Sequence, residues 1–445
     1  MADLLRDAVS PRGDAAFGVE GGVMTTVFRQ SAAPAKAASK TLRVAMVNTD
    51  FKLYWPGRIF ALRETLRVRG DDLSVVEVSA TGTPYDFEAS DVPEFPDAWI
   101  RLFDKGLREL PPRVQWNSVV AALNRLSPDV VLSGPIAFPS GAAATFWCRK
   151  NRRGLVVMDN VRPQDVPRPR SVDFVKRRIY RNVDAVLTSA PSHVEGFVDW
   201  GVARENVFTG LDAVDVRRYA AAAKEAANEP SLRGRFRLPD RYFLAMGRQI
   251  PVKNWPTLLE AYRTYRRKTQ GDSWSLVFVG NGPGRADLEE TVRRCRIDGV
   301  HFHDFCSQND TAVYYAFAEC LVLASFAETW GQVVAEAMAC SRPVLVSDRC
   351  GCAKTLVHDG RNGWTFAPDA AAALAAAMVR MSRMDRAGLA TMGKASREIV
   401  EDFGLDSFAC GAMNAVDAVK DFRRGFTSML DRYLVTAWKG RYRPV

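Results

Sequence analysis

The stretch YFLAMGRQIPVKNW, residues 242–255, passes from five apolar residues into a glycine, two cations and a proline. A short, wholly apolar run suits a parallel strand covered on both faces. Gly247 closes that strand, and Trp255–Lys268 reads as the helix that follows. The same texture repeats outward in both directions. Toward the C-terminus come a strand at Leu276–Val279, a helix at Arg285–Arg296, a strand at Val300–His303 and a helix at Asp310–Glu319. A strand at Leu321–Ala324, a helix at Gln332–Ala339 and a strand at Pro343–Val346 continue the series. Toward the N-terminus, apolar runs at Val44–Val47, Val130–Leu132, Leu155–Met158 and Ala185–Thr188 alternate with helical stretches such as Arg58–Arg69 and Ser140–Lys150. This alternation predicts an α/β protein built of doubly wound parallel sheets.

Texture also predicts the domain limits. Residues 1–40 are rich in Ala, Gly and Ser without a sustained period and read as a flexible arm. Residues 41–215 form a first Rossmann-like domain. Residues 216–240, which include AAAAKEAANEPSLRGRFRLPD, read as a linker, and 241–415 as a second Rossmann-like domain. Helical character runs from about Ser407 to Tyr433, and residues 416–445 are expected to pack back on the first domain, ending in the basic tail WKGRYRPV. Two domains facing a cleft is the predicted architecture.

Composition narrows the function. The chain has 445 residues, 47% apolar and 25% charged, which is average for a globular protein. No run approaches the ~18 apolar residues of a membrane span. The opening MADLLRDAVSPRGDAAFG lacks a basic start followed by an apolar core, so a cytoplasmic chain is expected. The eight cysteines include no Cys-x-x-Cys pair, and no second thiol or histidine pair lies near Cys350-Gly-Cys352, so no metal site is expected. The net charge of +10 attracts polyanions. Basic clusters such as Arg149-Lys150, Lys176-Arg177-Arg178 and Arg266-Arg267-Lys268 belong to no nucleic-acid-binding motif and read first as solvated helix faces, with an anionic membrane surface or phosphorylated small molecules as the functional alternative.

Chemistry concentrates at strand ends. In ASFAETWGQVVAEAMA, residues 324–339, a strand ends, Glu328 sits in a loop, Gly331 permits a tight backbone and a helix starts near Gln332. Free N–H groups and the positive end of the helix dipole suit a phosphate there. Glu336 falls just over one turn inside that helix. Read alone, the segment serves equally well as a capped helix with two ordinary acidic residues. After the strand Tyr242–Met246 comes Gly247, and Arg248 and Lys253 can reach the same side of the sheet, where a bidentate fork and a mobile point charge suit a pyrophosphate. The Gly280-Asn281-Gly282-Pro283-Gly284 turn allows close backbone approach but matches neither a Walker A loop nor a dinucleotide fingerprint.

Together these pieces resemble retaining glycosyltransferase family 4, which has the two-Rossmann GT-B fold. The resemblance spans about Leu42 to Ala415 and rests on Gly247–Lys253, Gly280–Pro283 and the Glu-x7-Glu pair Glu328–Glu336. Arg342-Pro343-Val344-Leu345 followed by Gly351-Cys352-Ala353, and Asn362-Gly363 before Trp364, agree with it. The resemblance implies a nucleotide-sugar donor, UDP- or GDP-linked, and no cofactor. Arg248 and Lys253 would hold the diphosphate, Glu328 would face the sugar hydroxyls, and Glu336 would accept from the ribose. Backbone N–H groups from Thr329 through Trp330, Gly331, Gln332 and Val333 would cap phosphate and sugar, and Phe305 and Cys306 would border the base. The implied acceptor is a glycan or lipid-linked hydroxyl compound in cell-surface polysaccharide or glycolipid synthesis, at the inner membrane face. No Asp-x-Asp pair occurs in the chain to hold a metal. Departures fall in the first half: Asn48–Arg58 offers only Gly57 in place of a Gly-Gly pair, Asp159-Asn160 stands where a His is frequent, and Thr355 replaces an acidic residue. Asp159 would substitute as a polar contact. A nucleotide-sugar epimerase of the same fold, or a non-catalytic sugar-nucleotide-binding relative, are the alternatives.

Overall fold

The computed structural model describes residues 41–81, 98–162, 165 and 169–437. The arm read at 1–40 and the tail from Trp438 onward lie outside the described residues. Seven strands form the first sheet: β1 (Arg43–Asn48), β2 (Asp72–Ser79), β3 (Trp99–Phe103), β4 (Val130–Ser133), β5 (Gly154–Met158), β6 (Ala185–Thr188) and β7 (Val207–Thr209). They lie in the order β3-β2-β1-β4-β5-β6-β7. Six more, β8 (Tyr242–Met246), β9 (Ser275–Val279), β10 (Val300–His303), β11 (Cys320–Leu323), β12 (Val344–Ser347) and β13 (Gly363–Phe366), form a second sheet in the order β10-β9-β8-β11-β12-β13. Neighbouring strands pair in parallel in both sheets, with Met46 opposite Leu132 and Met246 opposite Val279.

The apolar runs follow from this layering. Tyr242, Leu244 and Met246 of β8 point into one core, and Phe243 and Ala245 into the core on the opposite face. Strand β1 divides its residues likewise, Ala45 and Val47 against Val44 and Met46. In each sheet the strand order reverses once, between β1 and β4 and between β8 and β11. Loops leaving the carboxyl ends of strands at such a reversal diverge and open a crevice. The fold is GT-B, two Rossmann-like parallel-sheet units.

Two segments differ from their sequence reading. The linker read at 216–240 folds as helices Val216–Ala227 and Ser231–Arg235. Its alanines are strong helix formers, the Asp215 carboxylate caps the first turn by accepting from Arg218 N at 2.9 Å, and Tyr219, Ala223 and Ala226 join the core of the second unit. The C-terminal helical stretch is two helices, Leu405–Val419 and Met429–Ala437. The helix Leu405–Val419, most of which precedes the boundary read at 415, buries Phe408, Ala412, Ala415, Val416 and Val419 against the first sheet. Between the two helices the chain is anchored: Arg424 donates to Val183 O at 2.5 Å, and Thr427 N donates to Asn182 Oδ1 at 3.0 Å.

Arg424 also pairs with Asp184, whose carboxylate binds Arg149 through two hydrogen bonds of 2.9 and 2.5 Å. The side chains of Arg149 and Asp184 are both fully buried. Removing one partner of such a pair strands a charge in the interior. Asp184→Ala is expected to lower the unfolding free energy by about 3–5 kcal/mol in urea titration.

Candidate functional site

The carboxyl ends of β8, β9, β11 and β12 are laced together by backbone contacts. Gly247, at φ 144°, turns the chain out of β8. Gln249 N donates to Asn281 O and Gly284 N donates to Gln249 O, each at 2.9 Å, while the buried Gln249 amide donates to Gly280 O at 2.8 Å. A Cβ on Gly282 would stand 2.5 Å from Gln249 O, so only glycine lets these two loops meet. Phe326 N donates to Val252 O, and Gly351 N to Glu328 O, both at 2.9 Å. Asn254 closes the first loop at φ 57°, donating from its amide to Ala324 O and Pro368 O at 3.1 and 2.7 Å.

This lacing brings Lys253 and Glu328 into a direct ion pair. Both remain partly exposed, with side-chain exposures of 14% and 20%. Ser325 Oγ lies 3.5 Å from the same carboxylate oxygen. Beyond Glu328, Gly331 at φ 107° starts the helix Gln332–Ala339, and no side chain caps its first N–H groups. Arg248 is half-buried at the same strand end, its carbonyl accepting from Trp255 Nε1 at 3.0 Å.

The other sequence-predicted residues are placed variously. Asn281 is exposed, and with its amide nitrogen turned inward it donates to Gly280 O and Asp304 Oδ1 at 3.1 and 3.0 Å. Phe305 is exposed; Cys306 is half-buried, and burial pushes its thiol up to about 12. Thr329 is exposed, Trp330 is buried, and Val333 packs partly on the core of the second unit. Gln332 donates to Asp212 Oδ1 at 3.3 Å. Asp159 is buried in the first unit, where it accepts from Tyr180 OH at 2.7 Å and Val161 N at 3.0 Å. Glu336 is buried beneath tyrosine hydroxyls from Tyr54 and Tyr315. Among the described residues no three His, Cys, Asp or Glu side chains stand close enough together to hold a metal ion.

Sequence reading missed the residues of the first unit that face these loops. Arg162 donates to Glu328 O at 3.3 Å and to Arg349 O, and pairs bidentately with Asp165. Ser192 Oγ donates to Gly351 O at 3.1 Å, and His193 Nε2 lies 2.7 Å from Thr329 O. These partners are backbone carbonyls, so no side-chain motif announced them. A cavity of about 490 Å³ opens between the two sets of loops, lined by Arg162, Ser192, Phe326, Arg349 and Lys354 among others.

Residues 232–398 match the family model described as Glycosyl transferases group 1. Among curated proteins it is similar to a D-inositol 3-phosphate glycosyltransferase of Streptomyces bingchenggensis, 26% identical over 58% of each chain. It is also similar to an alpha-monoglucosyldiacylglycerol synthase of Streptococcus pneumoniae, 27% identical over 40% of each. The chain thus spans about half the length of the curated relatives it matches. Among solved structures, Anabaena HepE in complex with UDP and glucose superposes with a TM-score of 0.65 at 18% identity, covering 85% of this chain and 100% of that one. A glycosyltransferase from Rickettsia africae superposes at 0.67 with 14% identity, covering 86% and 99%. These likenesses show the fold.

Burial holds the His193 imidazole below its ordinary value near 6.5. The folded chain therefore prefers the neutral ring, and the contribution of this contact is full above about pH 6.5 and lost as pH falls through the lower folded value. Melting temperatures measured across that range are expected to fall more steeply for the wild type than for His193→Gln, which offers a donor that does not titrate.

Proposed function

We propose that the protein is a metal-independent, retaining glycosyltransferase that moves a sugar from a UDP- or GDP-sugar to a hydroxyl acceptor. The Lys253–Glu328 pair beside the uncapped start of the helix Gln332–Ala339 carries this reading. Cleaving the anomeric C–O bond leaves a nucleoside diphosphate with growing negative charge. Arg248, Lys253 and the helix N-terminus would stabilise that charge without reorganising during the reaction. Before the donor arrives, Glu328 neutralises Lys253. An incoming diphosphate would compete for the lysine and release Glu328 to the sugar hydroxyls near the reacting carbon. The acceptor hydroxyl would attack from the same face, so that configuration is retained. Asp159 would be a polar contact near the transferred sugar, and Phe305 and Cys306 would border the base.

The relatives' names support the donor and acceptor classes: HepE is described with UDP-glucose, and the pneumococcal relative as making a glucosyldiacylglycerol. A glycan or lipid-linked acceptor, in glycolipid or cell-surface polysaccharide synthesis, is the reading we favour. Contact with an anionic membrane is supported by the surface of the first unit. Exposed Phe174, Met429, Leu430 and Tyr433 lie on the helices Arg170–Tyr180 and Met429–Ala437, which are joined by the Arg178–Asp431 ion pair at 2.6 Å. Exposed Arg170, Arg177 and Arg432 flank them. Apolar side chains that enter a headgroup layer, ringed by arginines, suit the inner face of an anionic bilayer. No described helix is long and apolar enough to cross a membrane. Asp159, which stands where a His is frequent and is engaged by Tyr180 OH and Val161 N, favours one second reading, a sugar-nucleotide-binding relative without turnover.

Release of UDP or GDP from the corresponding sugar nucleotides, in EDTA, separates these readings. Slow hydrolysis supports transfer, whereas binding without release supports the second reading. Glu328→Ala is expected to reduce turnover about 10²–10³-fold with donor affinity largely kept, and Lys253→Ala to weaken both. In vesicle flotation, changing Arg170, Arg177 and Arg432 together to Gln is expected to lower affinity for phosphatidylglycerol vesicles about 100-fold. Phosphatidylcholine vesicles serve as the baseline.

A further inference from the structure

Glu336 is buried inside its helix, 3% exposed. Tyr315 OH donates to Oε2 at 2.5 Å and Tyr54 OH donates to Oε1, one hydroxyl on each carboxylate oxygen. Burial pushes the carboxyl up from its ordinary range, against the pull of the neighbouring hydroxyls of Tyr315, Tyr54 and Tyr219. It pushes all three phenols up as well, so they remain protonated donors at neutral pH.

The three tyrosines are not equivalent. Tyr219 and Tyr315 belong to the core of the second unit, their rings meeting edge to face at 6.3 Å, and Tyr315 OH also reaches Met246 Sδ at 3.2 Å. Tyr54 comes from the first unit, on the loop that leaves β1 at its strand-order reversal. It is partly exposed, and the Arg58 guanidinium lies 5.5 Å from its ring centroid. The residue before it, Leu53, is held at φ 55°, a backbone region that non-glycine residues occupy at a cost. Such strain concentrates in loops that have a second conformation to adopt.

Enclosure gives the consequence. Tyr54 and Tyr315 each hold one oxygen of a carboxylate that is almost closed off from solvent. A ribose diol that donates to this carboxylate therefore needs one of them to leave. Tyr315 belongs to the core of the second unit, whereas Tyr54 reaches it from the first, half-buried against that core. We propose that the Tyr54 hydroxyl is a placeholder for the donor's ribose, satisfying Glu336 in the empty cleft and being displaced when the nucleoside diphosphate enters. This inference rests on the nucleotide-sugar reading of the site. It makes Tyr54 a determinant of donor affinity that acts against binding, and it ties the loop after β1 to occupancy of the second unit.

Titration calorimetry with UDP, GDP and inorganic pyrophosphate tests the proposal on the full chain and on Tyr54→Phe. The nucleoside diphosphate that binds is expected to do so about fivefold more tightly in the variant, the equivalent of about 1 kcal/mol of lost competition. Pyrophosphate, which has no ribose, is expected to bind both proteins alike, as is the 2′,3′-dideoxy form of the nucleotide. Equal or weaker nucleotide binding in Tyr54→Phe overturns the proposal, and so does the same gain with the dideoxy form. If neither UDP nor GDP binds either protein, the nucleotide-sugar reading itself fails and the placeholder role falls with it. Should Tyr54→Phe melt early, Tyr54→Met removes the hydroxyl by another route and is held to the same contrast.

Discussion

Lys253 and Glu328 meet because β8 and β11 are neighbours in the second sheet although 75 residues separate the two side chains along the chain. That adjacency exists only at the point where the strand order reverses, and the rest of the site depends on it. Parallel strands deliver their following loops to one edge of the sheet, and at the reversal those loops part. Into the gap the fold directs a cation, a carboxylate and the unpaired N–H groups of a helix. A one-residue slip of β11 would carry Ser325 and Glu328 away from the lysine and turn the strand's apolar residues to the wrong faces.

The first unit meets this edge chiefly through donors aimed at main-chain oxygens. Arg162 and Ser192 reach the carbonyls of Glu328, Arg349 and Gly351. Contacts of this kind fix where a loop runs without dictating its side chains. Side chains of the two units also meet directly, as in Gln332 with Asp212, Tyr54 with Glu336, and the rings of His193 and Trp330.

Much of the fold was legible because buried parallel strands are apolar along their whole length. The runs at Tyr242–Met246 and Ala185–Thr188 needed no other cue. Strand β2, DLSVVEVS, was harder, since it buries Glu77 where that carboxylate accepts from Trp99 and Arg101. The alanine-rich segment after Val216 was opaque for the opposite reason, because small residues suit both a linker and a packed helix. At the site, glycines and charges at strand ends exposed the loops around Gly247, Gly282 and Gly331. The tyrosines around Glu336 were invisible: Tyr54, Tyr219 and Tyr315 are far apart in sequence, and only the folded chain collects them on one carboxylate. Gln249 was equally silent, since its partners are backbone groups.

The helix Leu405–Val419 supplies Phe408, Ala412, Val416 and Val419 to the core beneath the first sheet, against Val44, Met46 and Leu132. Strands β1 and β4 therefore wait for residues 405–419 before this apolar face is covered. During translation the second unit can complete its own layers while the first still exposes one side. Maturation then runs against the direction of synthesis. A ribosome stalled before residue 405 would present a finished second unit tethered to an open, adhesive partner, a natural client for chaperones.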